Sequence, residues 1–505
     1  MRTSVLTVLA LLGLTSGALA QAPLSAIDWL SEGVASDALP TVSPQEEAVS
    51  GGAAVGEITV TSLDAVSTDA VGLLPASVAG LPRDLWGDTP SNELARLLRN
   101  VDTGRLPALQ DLLFTLLLAE LDPPADSDPT GKLFLARIDK LMALGAVEQA
   151  QAMLERAGPD NAARFTRWFD ASLLTGTEDT ACARLRAAPN LSNDLPARIF
   201  CLARGKDWDA AALTLETGRA LGEMTGAQDA ALTRFLDPDL FEGAPPLPVP
   251  SNPSPLMFRL FEAIGESLPT TTLPLAFSQA DLRSNTGWKA QIEAAERLAR
   301  SGALAGNKLL GLYTERLPAA SGGVWDRVGA VQRFDIVLTA GAAGVAGTVL
   351  PHTWAAMQSV GLEAVFANLY AERLNDLEFT GDAAALAFRM ALLARDYRKA
   401  AEAHSPVDAE ERFLRAIALG DMSGMSPHQE VARAIADGFR NSTAPGHTQP
   451  QDLGAALLHA INTLAEGARG DVNRLSEAIT TLRALGFEDA ARRAALQVMI
   501  LDRRG

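Results

Sequence analysis

The sequence predicts an all-α protein: an α-solenoid of stacked helical hairpins, preceded by a signal peptide and a flexible arm. From about residue 91 to the end, apolar side chains recur with a period near 3.6 residues, which indicates amphipathic helices. These segments are separated by short stretches that contain Gly, Pro, Asp or Asn. Aromatic residues make up only 5% of the chain, whereas strands favour aromatic and β-branched residues. Helices that follow one another without intervening strands bury their apolar faces by stacking as hairpins.

Residues 1–20 have the three parts of a secretory signal peptide. Arg2 supplies the positive charge, Val5–Leu14 is an apolar run, and a small-x-small pattern ends at Ala20. We therefore expect cleavage after Ala20 and export to the periplasm. The apolar run is shorter than the roughly 20 residues that span a bilayer, and no later run is longer. An integral membrane protein is not expected, and Gln21 leaves no cysteine for a lipid anchor.

Residues 21–90 are rich in Ala, Ser, Gly, Pro and Asp and predict a flexible arm. Two pieces of the arm differ from the rest. Residues 57–61 alternate like a short strand, and residues 71–86 are apolar enough to pack on the body. The arm is therefore interpreted either as a tail that folds back along the body or as a linear motif that binds another protein.

The helical body is predicted to consist of two halves, 91–242 and 257–505. A proline-rich linker, 243–256, separates them, and we expect it to be extended and fairly stiff.

Cys182 and Cys201 are the only cysteines, and in an exported chain they predict one structural disulfide. Pro189 should end the helix that carries Cys182, and Pro196 should begin the helix that carries Cys201. Two antiparallel helices would then bring the sulfur atoms to a similar height. The alternatives are two free thiols or a redox-active pair, although the latter lacks the Cys-x-x-Cys spacing.

A weak repeat recurs at four predicted turns, where a large side chain is followed three positions later by alanine. The pairs are Val147 and Ala150, Trp208 and Ala211, Tyr397 and Ala400, and Phe487 and Ala490. The large residue would fill the gap between two helices, and the alanine would allow their close approach. This pattern resembles the entry to the second helix of tetratricopeptide repeats, which implies a degenerate helical-repeat fold. The spacing between the junctions is irregular.

A second resemblance is carried by the stretches Gly287–Arg300 and Glu315–Arg327. They are similar to uncharacterised exported alphaproteobacterial proteins, some of which are labelled antifreeze glycopeptide polyprotein. The Ala-Ala-Thr repeat of antifreeze glycopeptides is absent from this sequence, so the resemblance does not imply ice binding.

No pattern in the sequence predicts a catalytic, metal or cofactor site. The five histidines lack the spacing of a zinc site. Residues 126–131 imitate the start of a calcium loop, but Arg137 stands where a bidentate Glu is needed, which favours a helix-capping loop. Glu266 and Ser267 are similar to the Glu-Ser pair of soluble lytic transglycosylases, but the segment that shapes the sugar cleft of those enzymes is missing.

Five tryptophans near helical segments are predicted to fill the core rather than to form a ligand-stacking surface: Trp168, Trp208, Trp288, Trp325 and Trp354.

The charge distribution narrows the classes of partner. The net charge is −18, only six of the basic residues are Lys, and no polybasic cluster occurs, so nucleic acid and anionic lipid are not expected. We expect a non-catalytic periplasmic scaffold or protein-binding module that holds another envelope protein or peptide. The alternative is a non-catalytic accessory protein of peptidoglycan, motility or secretion, related in architecture to the helical superhelix of lytic transglycosylases. An unrecognised hydrolase is the third hypothesis.

Overall fold

A computed structural model describes residues 67–441 and 452–501. The predicted signal peptide, the cleavage site after Ala20 and residues 21–66 of the arm lie outside the described residues. Over the described residues the all-α prediction is confirmed, since the strands there are limited to β1 (Leu74–Pro75) and β2 (Ala119–Glu120), which pair in parallel. In this part of the chain no helix has the length and apolar character needed to cross a membrane.

The α-helices are α1 (Ala76–Ala79), α2 (Ser91–Asn100), α3 (Pro107–Leu118), α4 (Lys132–Ala143), α5 (Val147–Ala157), α6 (Ala162–Thr175), α7 (Glu178–Ala187), α8 (Leu195–Arg204), α9 (Trp208–Leu221), α10 (Gly226–Leu236), α11 (Pro255–Ala263), α12 (Trp288–Arg300), α13 (Gly306–Thr314), α14 (Val324–Thr339), α15 (Ala343–Gln358), α16 (Glu363–Asn375), α17 (Asp382–Leu393), α18 (Tyr397–Ala403), α19 (Ala409–Leu419), α20 (Glu430–Arg440), α21 (Leu453–Ala468), α22 (Val472–Ala484) and α23 (Glu488–Ile500). Short 3₁₀ helices span Thr68–Ala70, Pro189–Leu191, Asp239–Phe241, Thr270–Thr272 and Leu275–Leu282.

The junctions singled out in the sequence all lie at helix starts. Val147 and Tyr397 are the first residues of α5 and α18, and both are buried between helices as predicted. Phe487 precedes α23 and is half-buried. Trp208 begins α9, but 48% of its surface is exposed, so the prediction that it fills the core is wrong.

Neighbouring helices in the sequence pack against one another, as in α4–α5, α8–α9, α14–α15, α16–α17 and α21–α22. The stacked-hairpin interpretation is compatible with these contacts, and a continuous solenoid stays a prediction. α11, which follows the proline-rich stretch, packs on α6 and α10. Apolar contacts therefore cross the linker, and the division of the body into two halves there also stays a prediction.

Helices near the beginning and the end of the body also contact each other. α23 packs on α3, and α21 packs on α2. The backbone N–H of Ala108 donates to Oε1 of Gln497 at 2.9 Å, and the N–H of Asp102 donates to Oδ1 of Asn462 at 2.7 Å. Gln497 is buried, so this contact is part of the core. A periodic sequence pattern alone does not predict such closure.

Residues 67–90 belong to the packed body, which corrects the boundary of the predicted arm. Leu85 and Trp86 are fully buried, and the carbonyl of Leu85 accepts a hydrogen bond from the N–H of Gly454 at 2.9 Å. For these residues the structure therefore shows the folded-back alternative rather than a flexible arm. The segment also connects the first helices of the body to α21, which lies near the end of the chain.

Arg137 holds the start of this segment in place. Its side chain is fully buried in α4 and donates to four backbone carbonyls. Two belong to the end of α3 and to β2, Leu117 at 2.9 Å and Ala119 at 2.7 Å. The others belong to the docked segment, Asp69 at 3.1 Å and Val71 at 2.8 Å. Burial lowers the pKa of Arg137 to about 10, so the guanidinium stays charged at neutral pH.

Asp69, a residue of the docked segment, also attaches this segment to α4. Its buried carboxylate accepts the N–H of Phe134 at 2.7 Å, in the first turn of α4, and the hydroxyl of Ser127 at 2.5 Å. A helix start leaves such N–H groups without an internal partner, and a carboxylate there is favourable. A residue of the predicted arm therefore caps a helix of the body.

Candidate interaction surface

The histidines do not converge on one site. Nε2 of His404 donates to a carboxylate oxygen of Glu411 at 2.8 Å, and the imidazole stacks on Phe388. His352, His428 and His459 are exposed at separate places, and His447 lies outside the described residues. In the described part of the chain no group of three or more His, Cys, Asp or Glu side chains is arranged to hold a metal ion.

The calcium-like loop caps the start of one helix, α2. Asp126 accepts both the N–H of Ser91 at 2.8 Å and its hydroxyl at 2.6 Å, at the start of α2. The hydrogen bond from the Ser91 hydroxyl lowers the pKa of Asp126. Asp128 accepts the N–H of Thr130 at 2.8 Å and pairs with Lys132 at 3.2 Å. The oxygens of the loop are thus engaged by hydrogen-bond donors, as the helix-capping interpretation predicts.

Glu266, the residue similar to a catalytic acid, is held by internal contacts. Its carboxylate accepts from Nη1 of Arg234 at 2.6 Å and from the N–H of Leu247 at 2.7 Å. Arg234 also donates to the carbonyl of Pro245 at 2.8 Å. Glu266 therefore ties α10 to the proline-rich stretch.

Most of the tryptophans fill the core, as predicted. Trp168, Trp288 and Trp354 are buried, and Trp325 is half-buried. Trp208 is the exception.

The two stretches that carry the second resemblance meet inside the protein. The rings of Trp288 and Trp325 lie 5.1 Å apart. Arg327 donates to both oxygens of Glu296 at 2.9 and 2.6 Å, and the hydroxyl of Tyr313 donates to Glu296 at 2.7 Å. Glu296 is buried, so its charge is matched by a bidentate partner. These residues form an interior contact between α12, α13 and α14.

Cys182 and Cys201 lie at disulfide distance, with their Cα atoms 4.7 Å apart. They join α7 to α8, and both side chains are fully buried. α8 in turn packs against α9 and α10. The cysteine pair therefore holds α8 in place, and α9 and α10 pack against α8.

A row of aromatic rings extends from this interior to the surface. Phe169 of α6 contacts Phe200 of α8, with ring centroids 6.5 Å apart. Phe200 stacks on Phe235 of α10 at 5.5 Å, and Phe235 contacts Trp208 at 6.3 Å. Trp208 is thus supported from below while nearly half of its surface remains in solvent.

Strongly exposed apolar side chains are concentrated around α9. Half of the large ones in the described residues lie between positions 208 and 249: Trp208, Leu213, Leu221, Leu240 and Val249. Three of these belong to α9, and we call Trp208, Leu213 and Leu221 the outer α9 surface. Leu213 is 70% exposed and Leu221 is 64% exposed.

The charges beside the outer α9 surface are mainly acidic. Asp209 and Glu216 lie on the exposed side of α9. The one cation of this helix, Arg219, pairs with Glu216 and with Asp229 of α10, the latter at 2.6 Å. At about 100° per residue, Asp209 and Glu216 lie between Trp208 and Leu213 around the helix axis. A partner that contacts both apolar side chains would therefore need basic groups between its own apolar ones.

A carboxyl group that titrates near neutrality lies beneath this region. Burial, and then the charge of Asp194, raise the pKa of Asp170 in α6 to about 7. Asp194 itself precedes α8, and burial raises its pKa as well. Arg167 opposes the shift of Asp170 but is paired with Asp139 at 2.6 Å. The contact of α6 with the start of α8 should therefore depend on pH.

A polar pocket of about 400 Å³ lies where α2 meets α21. Its charged groups are already paired, Arg469 with Asp102 and Arg474 with Glu466. The pocket is therefore a consequence of the closure between the two ends of the body.

No protein-family model, no curated protein and no solved structure matches this chain. Its function must therefore be inferred from its own residues.

Proposed function

We propose that this protein is a non-catalytic scaffold of the bacterial cell envelope, exported to the periplasm, that binds another envelope protein or peptide on the outer α9 surface. The observation that carries the proposal is the exposure of Trp208, Leu213 and Leu221 on one helix that is firmly supported from behind. At about 100° per residue, Leu213 and Leu221 lie on the same side of α9, whereas Trp208 lies about 140° from each of them around the helix axis. Exposed apolar groups that lie together are typical of interaction sites, whereas single exposed apolar residues are ordinary.

Rigid support favours binding because little freedom is lost when the partner arrives. Trp208 rests on Phe235, and α9 and α10 rest on α8, which the cysteine pair joins to α7. Glu266 fixes α10 to the proline-rich stretch. Tryptophan is also among the residues that contribute most to binding when a partner covers them.

Several contacts support a non-catalytic role. Each oxygen of the Glu266 carboxylate already accepts a hydrogen bond, one from Arg234 and one from the backbone of Leu247. The calcium-like loop caps α2, and the Trp288 and Glu296 groups are part of the interior.

The test is capture from an envelope extract with the mature protein and two matched variants. Leu213→Glu places a charge on the outer α9 surface, whereas Val407→Glu places one at an 81% exposed position outside it. A true partner, identified and then titrated as a purified protein, should bind the wild type and Val407→Glu alike. Leu213→Glu should weaken binding at least about tenfold, the order expected when a central interface residue is lost.

Full binding of the same partner to Leu213→Glu and to Trp208→Ala would exclude this surface. The peptidoglycan alternative is tested with the same three proteins by sedimentation with purified sacculi. If the wild type co-sediments with sacculi and Trp208→Ala does not, the outer α9 surface binds peptidoglycan rather than a protein.

A further inference from the structure

The connection between α10 and α11 is longer than the packing of these helices requires. α10 ends at Leu236 and α11 begins at Pro255, so residues 237–254, 18 in all, join two helices that pack against each other. Neighbouring helices are ordinarily joined by about 2–8 residues, and connections longer than about 12–15 residues usually have a function of their own. The proline-rich stretch is the main part of this connection.

The sequence of residues 244–250, Ala-Pro-Pro-Leu-Pro-Val-Pro, restricts the backbone at every position. Each of these residues either is a proline or directly precedes one. The proline ring fixes φ near about −65°, and a residue before proline is kept out of the helical region. The stretch is therefore held in the extended polyproline II conformation, and the structure has no helix or strand there.

The exposure of this stretch repeats every three residues. The residues at positions 244, 247 and 250 are half-buried, and the four between them are exposed. Polyproline II has three residues per turn, so every third residue lies in the same row along the helix. One row therefore faces the body and the other two face solvent. We call the four exposed residues the proline ridge: Pro245, Pro246, Pro248 and Val249.

The row that faces the body is held by hydrogen bonds. The N–H of Leu247 donates to Oε2 of Glu266 at 2.7 Å, and Nη2 of Arg234 donates to the carbonyl of Pro245 at 2.8 Å. Arg234 also pairs with the other oxygen of Glu266 at 2.6 Å. The side chain of Leu247 packs against the hydrophobic core. The stretch is thus fixed in its extended form before a partner arrives, and little conformational freedom remains to be lost on binding.

The backbone of the proline ridge has acceptors to offer. Polyproline II contains no internal hydrogen bonds, so its carbonyls need partners from outside the helix. The carbonyls of Pro246, Pro248 and Val249 accept no hydrogen bond from residues 67–441 or 452–501. A bound protein can therefore donate to them.

The chemistry of the proline ridge selects a partner with a groove lined by aromatic rings. Segments with prolines at positions i and i+3 dock into such grooves, because the extended helix is already formed and its two outer rows fit between the rings. Pro245 and Pro248 have this spacing in the first row, and Pro246 and Val249 form the second row. Residues 243–255 carry no charge, so the middle of the contact is apolar.

The charges beside the proline ridge add a requirement for the rim of the groove. Asp239 and Glu242 precede the ridge and are exposed, and neither forms an ion pair within the described part of the chain. Basic side chains at one end of the groove would complement these two carboxylates.

We propose that the proline ridge is a polyproline II ligand that docks into the aromatic groove of another envelope protein. This contact is separate from binding at the outer α9 surface and does not depend on it. Seven residues at about 3.1 Å each span about 22 Å, which is short for a stable interface. We therefore expect a reversible contact with a dissociation constant of about 10–100 µM.

Photo-cross-linking identifies the partner. A benzophenone amino acid replaces Val249 in the mature full-length protein, and a control protein carries it at Val407, which is 81% exposed and outside the proline ridge. Irradiation in an envelope extract should yield a product from position 249 that position 407 does not yield. The cross-linked protein is then purified for titration.

Titration with the purified partner tests the contact itself. Val249→Glu places a charge on the proline ridge at a 74% exposed position, and Val407→Glu is the matched control. Pro245→Ala/Pro248→Ala removes the first row of rings. Val249→Glu and the proline variant should each raise the dissociation constant at least about tenfold, whereas Val407→Glu should bind like the wild type. Circular dichroism and thermal unfolding of each variant confirm that the fold is retained.

A synthetic peptide of residues 243–252 tests whether the groove is aromatic. This peptide contains no aromatic residue, so a change in Trp or Tyr fluorescence on mixing comes from the partner alone. The peptide should compete with the wild-type protein and change the fluorescence of the partner. The same peptide with alanine at positions 245 and 248 should do neither at the same concentration.

Three results would overturn the proposal. They are the absence of a product specific to position 249, equal binding of the partner to the wild type and Val249→Glu, and a partner that does not respond to the peptide. Leu213→Glu should bind the partner of the proline ridge like the wild type. If Leu213→Glu alone lost binding, the partner would belong to the outer α9 surface, so failure of one proposal is distinguishable from failure of the other.

Discussion

Replacement of Arg137 with Met should release the docked segment 67–75 from the body. The guanidinium donates to four buried carbonyls at 2.7 to 3.1 Å, and Met can donate to none of them. Each buried polar group left without a partner costs about 1–3 kcal/mol. Removal of the buried charge offsets a part of this loss, because an apolar side chain needs no desolvation. We therefore expect Arg137→Met to lower the free energy of unfolding by about 4 kcal/mol.

Urea unfolding measures the decrease in the free energy of unfolding, and amide hydrogen exchange shows which residues lose their protection. The most direct reporter is the N–H of Leu73, which donates to the carbonyl of Leu118 at 2.7 Å and should lose its protection in the variant. Arg137→Lys keeps the charge but not the planar set of donors, so its loss should be intermediate. The control is Arg96→Met, because Arg96 is exposed and 3.8 Å from Glu93. If Arg137→Met unfolds like Arg96→Met, with Leu73 still protected, the role assigned to Arg137 is refuted.

Two further predictions concern the helices beneath the outer α9 surface. The double variant Cys182→Ala/Cys201→Ala should lower the free energy of unfolding by about 3 kcal/mol, because the two positions are 19 residues apart. Amide hydrogen exchange should become faster in α8 and α9. Unchanged exchange in these helices would contradict the idea that the cysteine pair supports them. The pKa of Asp170 is raised from 3.8 to about 7 in the folded protein, so between about pH 4 and pH 7 the folded state binds more protons than the unfolded state. Stability should therefore fall as pH rises through this window, by at most about 4 kcal/mol. Asp170→Asn should flatten this dependence and raise Tm at pH 8, whereas the exposed Asp209→Asn should leave both unchanged; a wild-type Tm independent of pH would exclude the effect.

The features that the sequence predicts correctly are local ones. Val147 and Tyr397 follow a turn and begin a helix, and in both cases a neighbouring helix buries the large side chain. Trp208 has the same local pattern but remains exposed, because no further helix of the described chain covers that side of α9. A junction pattern indicates where a helix begins, but it does not indicate whether another helix lies outside it.

Composition places the boundary of the arm too late in the chain because it averages over many residues, although the apolar residues 71–86 do indicate packing on the body. Leu81, Leu85 and Trp86 are buried, although the surrounding residues are polar or small. In the sequence, Arg137 stands out only as the residue that breaks a calcium-loop pattern. Its hydrogen-bond acceptors are backbone carbonyls, which every residue has and which therefore leave no signal in the sequence.

The sequence predicts only in part which apolar or uncharged residues lie on the surface. The proline-rich stretch is visible in the sequence, but the side of it that faces solvent is not. The exposure of Val249 and the partners of Glu266 depend on which helices pack together, and this is decided by contacts between distant parts of the chain.

The contact between α3 and α23 has a consequence for biosynthesis. Ala108 and its partner Gln497 are 389 residues apart, and ribosomes add roughly 5–20 residues per second. The apolar side of α3 is therefore made about 20–80 s before the helix that covers it. A nascent chain in this interval needs a chaperone or a temporary internal contact to avoid aggregation. In a chain truncated before α23, the apolar side of α3 would stay uncovered.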